Sequence, residues 1–139
     1  MRVPLKDLLL SFSTAFDFVE KELLGITTNH GKRAAYVSSR ICRAMGLSEV
    51  EIFDMAGCAI LHDNALNEYL ILARPSDLRI LEQFETHCHI GEHNVRAFPF
   101  AGNIDNVILE HHENWDGTGF HGLKGEEIPV RSTDRKSVV

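Results

Sequence analysis

The chain has 139 residues, of which 44% are hydrophobic and 24% are charged, a composition typical of one soluble globular domain. Its formal net charge of −6 argues against a nucleic-acid partner, because phosphate backbones bind to basic surfaces. The same charge does not exclude a nucleotide ligand, since bound metal can supply positive charge locally.

The first segment is predicted to be an amphipathic helix that packs on the domain and ends at Gly25. Residues Leu8 to Phe16 are as apolar as a signal-peptide core, but Asp7 and Asp17 flank them and no small-x-small cleavage site follows. No stretch approaches the ~20 apolar residues that span a membrane. The three cysteines lack C-x-x-C spacing, which indicates reduced, buried thiols. We therefore expect a cytoplasmic protein without a membrane partner.

Two more helices are predicted, from about His30 to Met45 and from about Ser48 to Leu61. Ser48-Glu49-Val50-Glu51 has the pattern of a capping box and opens the third helix. That helix is apolar nearly all round, so we expect it to be central. In the second helix, four apolar residues predict the buried face: Ala34, Val37, Ile41 and Ala44.

The rest of the chain predicts shorter helices and a loop. Pro75-Ser76-Asp77 caps a helix through about Glu85, and helical segments follow from about His89 to Ala97 and from Ile104 to His112. Between Asn114 and Pro129 the glycines forbid regular structure. We therefore predict an all-α fold, one domain over residues 1–139, built as a bundle of about five to seven helices with a glycine-rich C-terminal loop.

Eight histidines are present, and some stand at the ends of apolar helices. His62-Asp63 closes the predicted central helix, where burial penalises polar groups unless they satisfy each other or bind a metal ion. For an isolated dipeptide a hydrogen-bonded cap is the more common explanation. His111-His112 closes another helix, and adjacent helical residues point about 100° apart. Both therefore reach one metal cluster only if that cluster lies between helices.

These motifs resemble a known family. His62-Asp63 after an apolar helix is similar to the HD signature of metal-dependent phosphohydrolases. The segments His111–Phe120 (HHENWDGTGF) and Gly122–Pro129 (GLKGEEIP) resemble the HD-GYP signature, H-H-E-x-x-D-G-x-G-Y-P followed by G-L-x-G-x-x-I-P. His30 with Arg33 resembles the family's H-x-x-R, and His87 begins a segment similar to its H-x-x-I-G. The resemblance covers about residues 30–129.

The resemblance implies a centre of two transition-metal ions inside a helical bundle. The positions that match the family's ligands are His30, His62, Asp63, His87, His111 and His112. Asp63 would be the catalytic residue, bridging the metals and helping to hold the attacking hydroxide. Histidine-rich ligation favours iron, manganese, zinc or nickel over magnesium. The implied activity is hydrolysis of the bacterial second messenger cyclic di-GMP in signal transduction, with a GGDEF or receiver-type signalling partner. The implied substrate-binding residues are Arg33, Asp116, Gly117 and Gly119.

The chain also departs from the family pattern. The family's H-D-I-G-K is replaced by His62-Asp63-Asn64-Ala65-Leu66, so a lysine that contacts substrate phosphate is absent, at a cost of roughly 1.5–3 kcal/mol. A glutamate ligand of some members falls at Ile26, and Phe120 and His121 replace the tyrosine and proline of GYP. A ligand aspartate about ten residues after I-P falls at Val139, and Asp134 could replace it only if the backbone followed a different path. We therefore expect a truncated domain that lacks the family's C-terminal helices, with a surface open to homodimer formation.

Two alternatives to cyclic di-GMP hydrolysis stay open. The first is a degenerate, non-catalytic domain that binds or signals, and the second is an HD phosphohydrolase acting on another nucleotide. His89 and His93, four residues apart, are interpreted as surface or supporting residues rather than ligands. Trp115 is interpreted as a packing anchor for the loop.

Overall fold

A computed structural model describes residues 3–25, 28–65, 85–129 and 131 of the protein. Within these ranges the chain forms four α-helices and one short 3-10 helix, with no β-strand, which confirms the all-α class. The elements are α1 (Leu5–Leu24), α2 (His30–Ala44), α3 (Glu49–Leu61), α4 (Thr86–Val95) and the 3-10 helix Gly125–Glu127. None of the helices in this part of the chain has the length and hydropathy of a membrane span. The helix predicted from Pro75 lies outside the described residues, except for Glu85 at its end. Ile26, Asp134 and Val139 also lie outside them.

Helix α3 is the centre of the fold, as predicted. Its first turn is closed by the capping box, in which the Ser48 hydroxyl accepts a hydrogen bond from the Glu51 backbone N–H and the Glu51 carboxylate accepts one from the Ser48 backbone N–H. The helix packs against α1, α2 and α4. Its side chains Met55, Cys58 and Leu61 are fully buried in the core. Burial on several sides explains why this helix is apolar nearly all round.

The buried face of α2 differs from the predicted one. Ala35, Ser38 and Cys42 are buried, whereas Val37 and Ile41 are 53% and 50% exposed. The predicted face Ala34, Val37, Ile41 and Ala44 is therefore wrong. The reason is the close approach of α2 to α3: a Cβ atom on Gly31 would lie 3.2 Å from the Ile60 carbonyl oxygen. Small side chains permit this approach, and the larger apolar residues lie on the opposite side.

Helix α1 packs through one narrow face and ends as predicted. Leu9 and Ser13 are buried. The buried Asp17 forms an ion pair with Lys32 of α2, whose Nζ atom lies 2.5 Å from Asp17 Oδ2. Gly25 follows the helix in the left-handed conformation, with φ 69°, which glycine adopts without strain.

Residues 104–112 form a series of turns rather than the predicted helix. The Glu92 carboxylate of α4 is buried and accepts hydrogen bonds from the backbone N–H groups of Asn106, Ile108 and Leu109, at 3.0, 3.2 and 3.2 Å. The N–H groups of Ile108 and Leu109 are therefore not available to the carbonyl groups four residues earlier, which a helix would require. Asn106 also has a positive φ of 63°, which interrupts a right-handed helix. The apolar residues that gave the helical pattern, Ile104, Val107 and Ile108, are nevertheless buried.

Candidate metal centre

Six side chains predicted as metal ligands converge near the C-terminal end of α3. They come from the start of α2, the residues after α3, the first turn of α4 and the turn segment 104–112. Their ligand atoms fall into two groups, within each of which all atoms lie within 4.8 Å of one another: His30, His62 and Asp63 in the first, and His87, His111 and His112 in the second.

Asp63 lies between the two groups. Its Oδ2 atom is 2.9 Å from His62 Nε2 and 3.7 Å from His30 Nε2. Its Oδ1 atom is 3.5 Å from His111 Nε2 and 4.0 Å from His87 Nε2. The carboxylate thus presents one oxygen to each histidine group, an arrangement that suits a carboxylate shared by two cations.

Backbone carbonyl groups orient two of the histidines. His62 Nδ1 lies 2.7 Å from the Ala59 carbonyl oxygen, and His111 Nδ1 lies 2.6 Å from the Ile108 carbonyl oxygen. Because a carbonyl oxygen only accepts hydrogen bonds, each Nδ1 must carry a proton and donate it. In the neutral ring Nε2 is then the basic nitrogen, and in both residues it points toward Asp63. This is the orientation that metal-binding histidines adopt.

The arrangement around Asp63 is electrostatically incomplete without a cation. A basic Nε2 lone pair and a carboxylate oxygen repel each other unless a proton or a metal ion lies between them. His111 is 1% exposed, and among the described residues its Nε2 atom makes no hydrogen bond. Burial raises the pKa of Asp63, but the positive charges of His62 and His111, when these rings are protonated, lower it more, so its net pKa is well below the ordinary value. A metal ion in place of those protons would supply the same stabilising charge. A half-buried carboxylate among basic nitrogens therefore fits a bound metal ion.

The second histidine group, like the first, contains two Nε2 atoms at the spacing of metal ligands. His87 Nε2 and His112 Nε2 are 3.0 Å apart, as are His30 Nε2 and His62 Nε2. Metal–nitrogen bonds of 2.0–2.1 Å place neighbouring ligand atoms about 3.0–3.4 Å apart, so both pairs match an edge of a coordination sphere. Burial, together with the nearby His111 and His87, lowers the pKa of His112 to about 3. The ring is therefore neutral near pH 7, the form that binds metal.

The turn segment explains how consecutive histidines reach one site. On a regular helix their side chains would diverge by about 100°. Here the ring centroids of His111 and His112 are 4.1 Å apart, and each ring also contacts His87 at 5.2 and 4.9 Å. The loss of helical geometry between Ile104 and His112 therefore brings both rings to the same side of the backbone.

Cys88 is a further candidate ligand that the sequence did not single out. Its sulfur lies 3.6 Å from His87 Nε2, and it belongs to the group formed with His87, His111 and His112. Burial raises the pKa of Cys88 to about 12, as do the negative charges of Asp63 and Glu110. The residue is therefore a thiol at neutral pH unless a metal ion stabilises the thiolate. Its position next to His87 was the only signal in the sequence.

Two glycines and an asparagine allow the helices to approach this centre. Gly31 follows His30 and meets the Ile60 backbone, as described above. A Cβ atom on Gly91 would lie 3.2 Å from Asn64 Nδ2 and 3.1 Å from Ile108 Cγ2. Asn64 Nδ2 donates to the Gly91 carbonyl oxygen at 3.2 Å. Asn64, the first residue that differs from the H-D-I-G-K pattern, therefore links the turn at His62 to α4.

The glycine-rich loop is organised by Glu113. Its carboxylate oxygens accept hydrogen bonds from the backbone N–H groups of His121 at 2.8 Å and Leu123 at 2.7 Å. A Cβ atom on Gly119 would lie 2.4 Å from Glu113 Oε1 and 2.6 Å from its Cα, so only glycine fits there.

The structure also describes the positions of Asp116, Gly117 and Arg33, which were predicted to bind substrate. Asp116 Oδ1 accepts hydrogen bonds from the backbone N–H and hydroxyl of Thr118 at 3.0 and 2.7 Å, which lowers the pKa of Asp116. Gly117 has φ 84°, as a tight turn requires. Arg33 lies one helical turn after His30 with its side chain exposed. Substrate contact by these residues stays a prediction.

Comparison with known proteins agrees with these motifs. A family model described as an HD domain matches residues 19–133. The chain is 34% identical over 115 residues to the "Cyclic di-GMP phosphodiesterase" of Thermotoga maritima, covering 75% of this chain and 30% of that protein. It is 26% identical over 138 residues to the "3'3'-cGAMP-specific phosphodiesterase 2" of Vibrio cholerae, covering 94% and 26%. It is 30% identical over 118 residues to the "Cyclic di-GMP phosphodiesterase response regulator RpfG" of Xanthomonas campestris, covering 78% and 30%.

The chain spans 26–30% of the length of these curated relatives. No solved structure gives a significant match. Because the family model covers more than half of the sequence, and because the His-Asp pair lies where α3 ends among converging histidines, the chain belongs to the HD domain family, with the motifs of its HD-GYP branch.

Proposed function

We propose that the protein is a metal-dependent phosphodiesterase that hydrolyses cyclic di-GMP. The observation that carries the proposal is the position of Asp63, whose two carboxylate oxygens face two separate histidine groups. Two transition-metal ions, of iron, manganese, zinc or nickel, would be held by these groups: His30 and His62 on one side, His87, His111 and His112 on the other, and Asp63 between them.

Bound metal would lower the pKa of a water molecule and neutralise charge on the phosphodiester, so no side-chain nucleophile is required. The protein's own residues contribute position and protonation state. The Ala59 and Ile108 carbonyl groups keep the His62 and His111 rings oriented, and the low pKa of His112 keeps that ring neutral. The low pKa of Asp63 keeps its carboxylate ionised over the whole neutral range.

A cyclic dinucleotide is the substrate class that the comparisons support. Two of the three relatives above are named for cyclic di-GMP and one for 3'3'-cGAMP. These substrates are phosphodiesters with two negative charges, and the chain has a formal net charge of −6. Attraction for the substrate must therefore come from metal charge and from local cations, for which we propose Arg33, one helical turn after His30 and exposed.

The alternative is a non-catalytic HD-type domain that binds a nucleotide or transmits a signal. It is favoured by the sequence His62-Asp63-Asn64-Ala65-Leu66, which lacks the lysine that the HD-GYP resemblance would place on substrate phosphate. The Asn64 side chain is committed to structural hydrogen bonds with the Leu61 and Gly91 carbonyl groups and with Asn94. An HD phosphohydrolase acting on another nucleotide is the remaining alternative.

Metal content and hydrolysis test the proposal together. The full chain, purified without chelator, is analysed for metals and assayed against cyclic di-GMP, 3'3'-cGAMP and a chromogenic phosphodiester. We expect about two ions per chain and turnover of cyclic di-GMP. Asp63→Asn removes the shared charge and should abolish turnover, whereas His93→Ala changes an exposed histidine outside both groups and should leave turnover intact.

Each negative result has its own meaning. Two ions without hydrolysis of any phosphodiester would support the binding domain. Hydrolysis of the chromogenic ester or 3'3'-cGAMP with no action on cyclic di-GMP would reject the proposed substrate alone. Unchanged metal content in both His62→Ala and His111→Ala would reject the site.

The HD-GYP resemblance also predicts a GGDEF or receiver-type signalling partner, and a homodimer stays a separate prediction. The name of the Xanthomonas relative includes the words response regulator, which supports a receiver-type partner. Light scattering on the full chain tests the dimer, and a monomer over the micromolar range would reject it.

A further inference from the structure

A second cluster of potential metal ligands lies outside the proposed centre. Glu85, His89 and His121 each offer one ligand atom, and these atoms lie within 4.8 Å of one another. Glu85 precedes α4 and His89 lies one turn further along it, whereas His121 comes from the glycine-rich loop. His121 stands where the HD-GYP signature has proline, and none of the three residues is used by the centre around Asp63.

The ligand atoms converge on one carboxylate oxygen. Glu85 Oε1 is 2.9 Å from His121 Nε2 and 3.2 Å from His89 Nε2. Bonds of 2.0–2.1 Å from zinc to its ligands place tetrahedral ligand atoms about 3.3 Å apart. Both distances are therefore close to an edge of such a site. The ring centroids of His89 and His121 are 5.7 Å apart and their planes are inclined at 74°, so the two rings do not stack.

His121 is held in the orientation that a ligand needs. Its Nδ1 atom lies 2.6 Å from Glu110 Oε2, and its backbone N–H donates to Glu113 Oε1. Glu110 and Glu113 are both buried. With a proton on Nδ1 donated to Glu110, Nε2 of the neutral ring is the basic nitrogen and points outward to Glu85. A carboxylate that accepts the second ring N–H is the usual support of a zinc-binding histidine.

The inner side of His121 is a poorer place for an ion. Glu110, Glu113 and His121 also have ligand atoms within 4.8 Å of one another. Both Glu113 oxygens, however, already accept backbone N–H groups, from His121 and Leu123. An ion there would have to break hydrogen bonds that shape the loop, whereas an ion on the outer side replaces only protons.

We propose that Glu85, His89 and His121 form a second, peripheral site for a divalent transition ion such as Zn²⁺. Two imidazole nitrogens and one carboxylate oxygen are a donor set that zinc, copper and nickel bind well. His89 is half-exposed and Glu85 is similarly open, so a fourth position is accessible to water or to an external ligand. An ion here would tie α4 to the loop that follows His111 and His112.

The competing state is a protonated His121 between two carboxylates. Burial lowers the pKa of His121, but hydrogen bonds to Glu110 and Glu85 raise it more, and its net pKa is above the ordinary value. A proton and a metal ion therefore compete for His121 Nε2, and the two states differ in whether zinc is bound at neutral pH.

Equilibrium dialysis of the full chain against buffered Zn²⁺ at pH 7.5, followed by elemental analysis, distinguishes these states. We expect His89→Ala, His121→Ala and Glu85→Gln each to bind one equivalent of Zn²⁺ less per chain than the wild type. His93→Ala is the matched control, since it removes another exposed histidine of α4, and should lose none. Because His89 is exposed, its variant should fold, which far-UV circular dichroism checks.

The result that overturns the proposal is equal Zn²⁺ binding by wild type and all three cluster variants, which would identify the protonated state. Equal losses in His93→Ala and His89→Ala would also overturn it, because binding would then be unspecific. The outcome is independent of the proposed phosphodiesterase. A His62→Ala variant that loses ions from the centre around Asp63 should still lose one further equivalent when His89→Ala is added.

Discussion

The buried Glu92 carboxylate is predicted to support the metal centre without binding metal. It accepts three backbone N–H groups from the segment that leads to His111 and His112. Hydrogen bonds to a charged group contribute about 1.5–3 kcal/mol each, and removal of the acceptor leaves buried donors unsatisfied. We therefore expect Glu92→Ala to lower the free energy of unfolding by about 4 kcal/mol or more. Glu92→Gln keeps one acceptor oxygen, and its expected loss is roughly 2 kcal/mol.

Asp54 provides a matched control for this prediction. It is also buried, and its Oδ2 atom accepts the backbone N–H groups of Ala101 and Gly102, at 3.1 and 2.6 Å. That loop carries none of the proposed ligands. Asp54→Asn and Glu92→Gln should both lower stability in urea unfolding of the chelator-treated protein, whereas only Glu92→Gln should weaken metal binding.

Two results would refute the reasoning. A loss of less than 1 kcal/mol for Glu92→Ala would mean that water replaces the carboxylate, so the three hydrogen bonds do not hold the segment. An equal weakening of metal binding in Asp54→Asn and Glu92→Gln would mean that general loss of stability, rather than the His111–His112 segment, governs the site.

Three further perturbations test other parts of the structure. Gly119→Ala places a Cβ atom 2.4 Å from Glu113 Oε1 and should destabilise the loop by about 1–3 kcal/mol, measured by urea unfolding; an unchanged midpoint would contradict the contact. Ser48→Ala removes the capping box of α3 and should cost about 1 kcal/mol in the same assay, with no change in metal content. Cys58 and Cys88 are buried with raised thiol pKa values, so alkylation by iodoacetamide at pH 8 should be slow in the native protein and fast in urea; fast native modification of either would contradict their burial.

Local patterns in the sequence were sufficient for the fold class and for the central helix. The capping box at Ser48 and the apolar run to Leu61 depend on residues within one helix, and the structure confirms both. The His-Asp pair at the end of that run predicted a polar group in a buried place, which burial of His62 at 5% exposure confirms. The metal-binding role of the pair remains a prediction, since it depends on an ion.

Contacts between residues that are distant in sequence determined the buried face of α2 and the conformation of residues 104–112, which local patterns did not predict correctly. Helical spacing predicted the face of α2 that contains Val37 and Ile41, whereas the close approach at Gly31 selected the face with small side chains. The spacing from Ile104 to His112 is compatible with a helix. The Glu92 carboxylate, 16 and 17 residues away in sequence, accepts the N–H groups of Ile108 and Leu109 that a helix would use.

The peripheral cluster of Glu85, His89 and His121 also depends on contacts between residues that are distant in sequence. Glu85 and His89 are one turn apart and could be paired from the sequence, whereas His121 joins them only because Glu110 and Glu113 fold the loop back against α4. The sequence by itself therefore determined the all-α class and the first three helices, and it predicted the six residues that we propose as metal ligands. Tertiary structure decided which faces are buried and which ligands meet, because backbone donors and side chains are shared among segments that no local spacing connects.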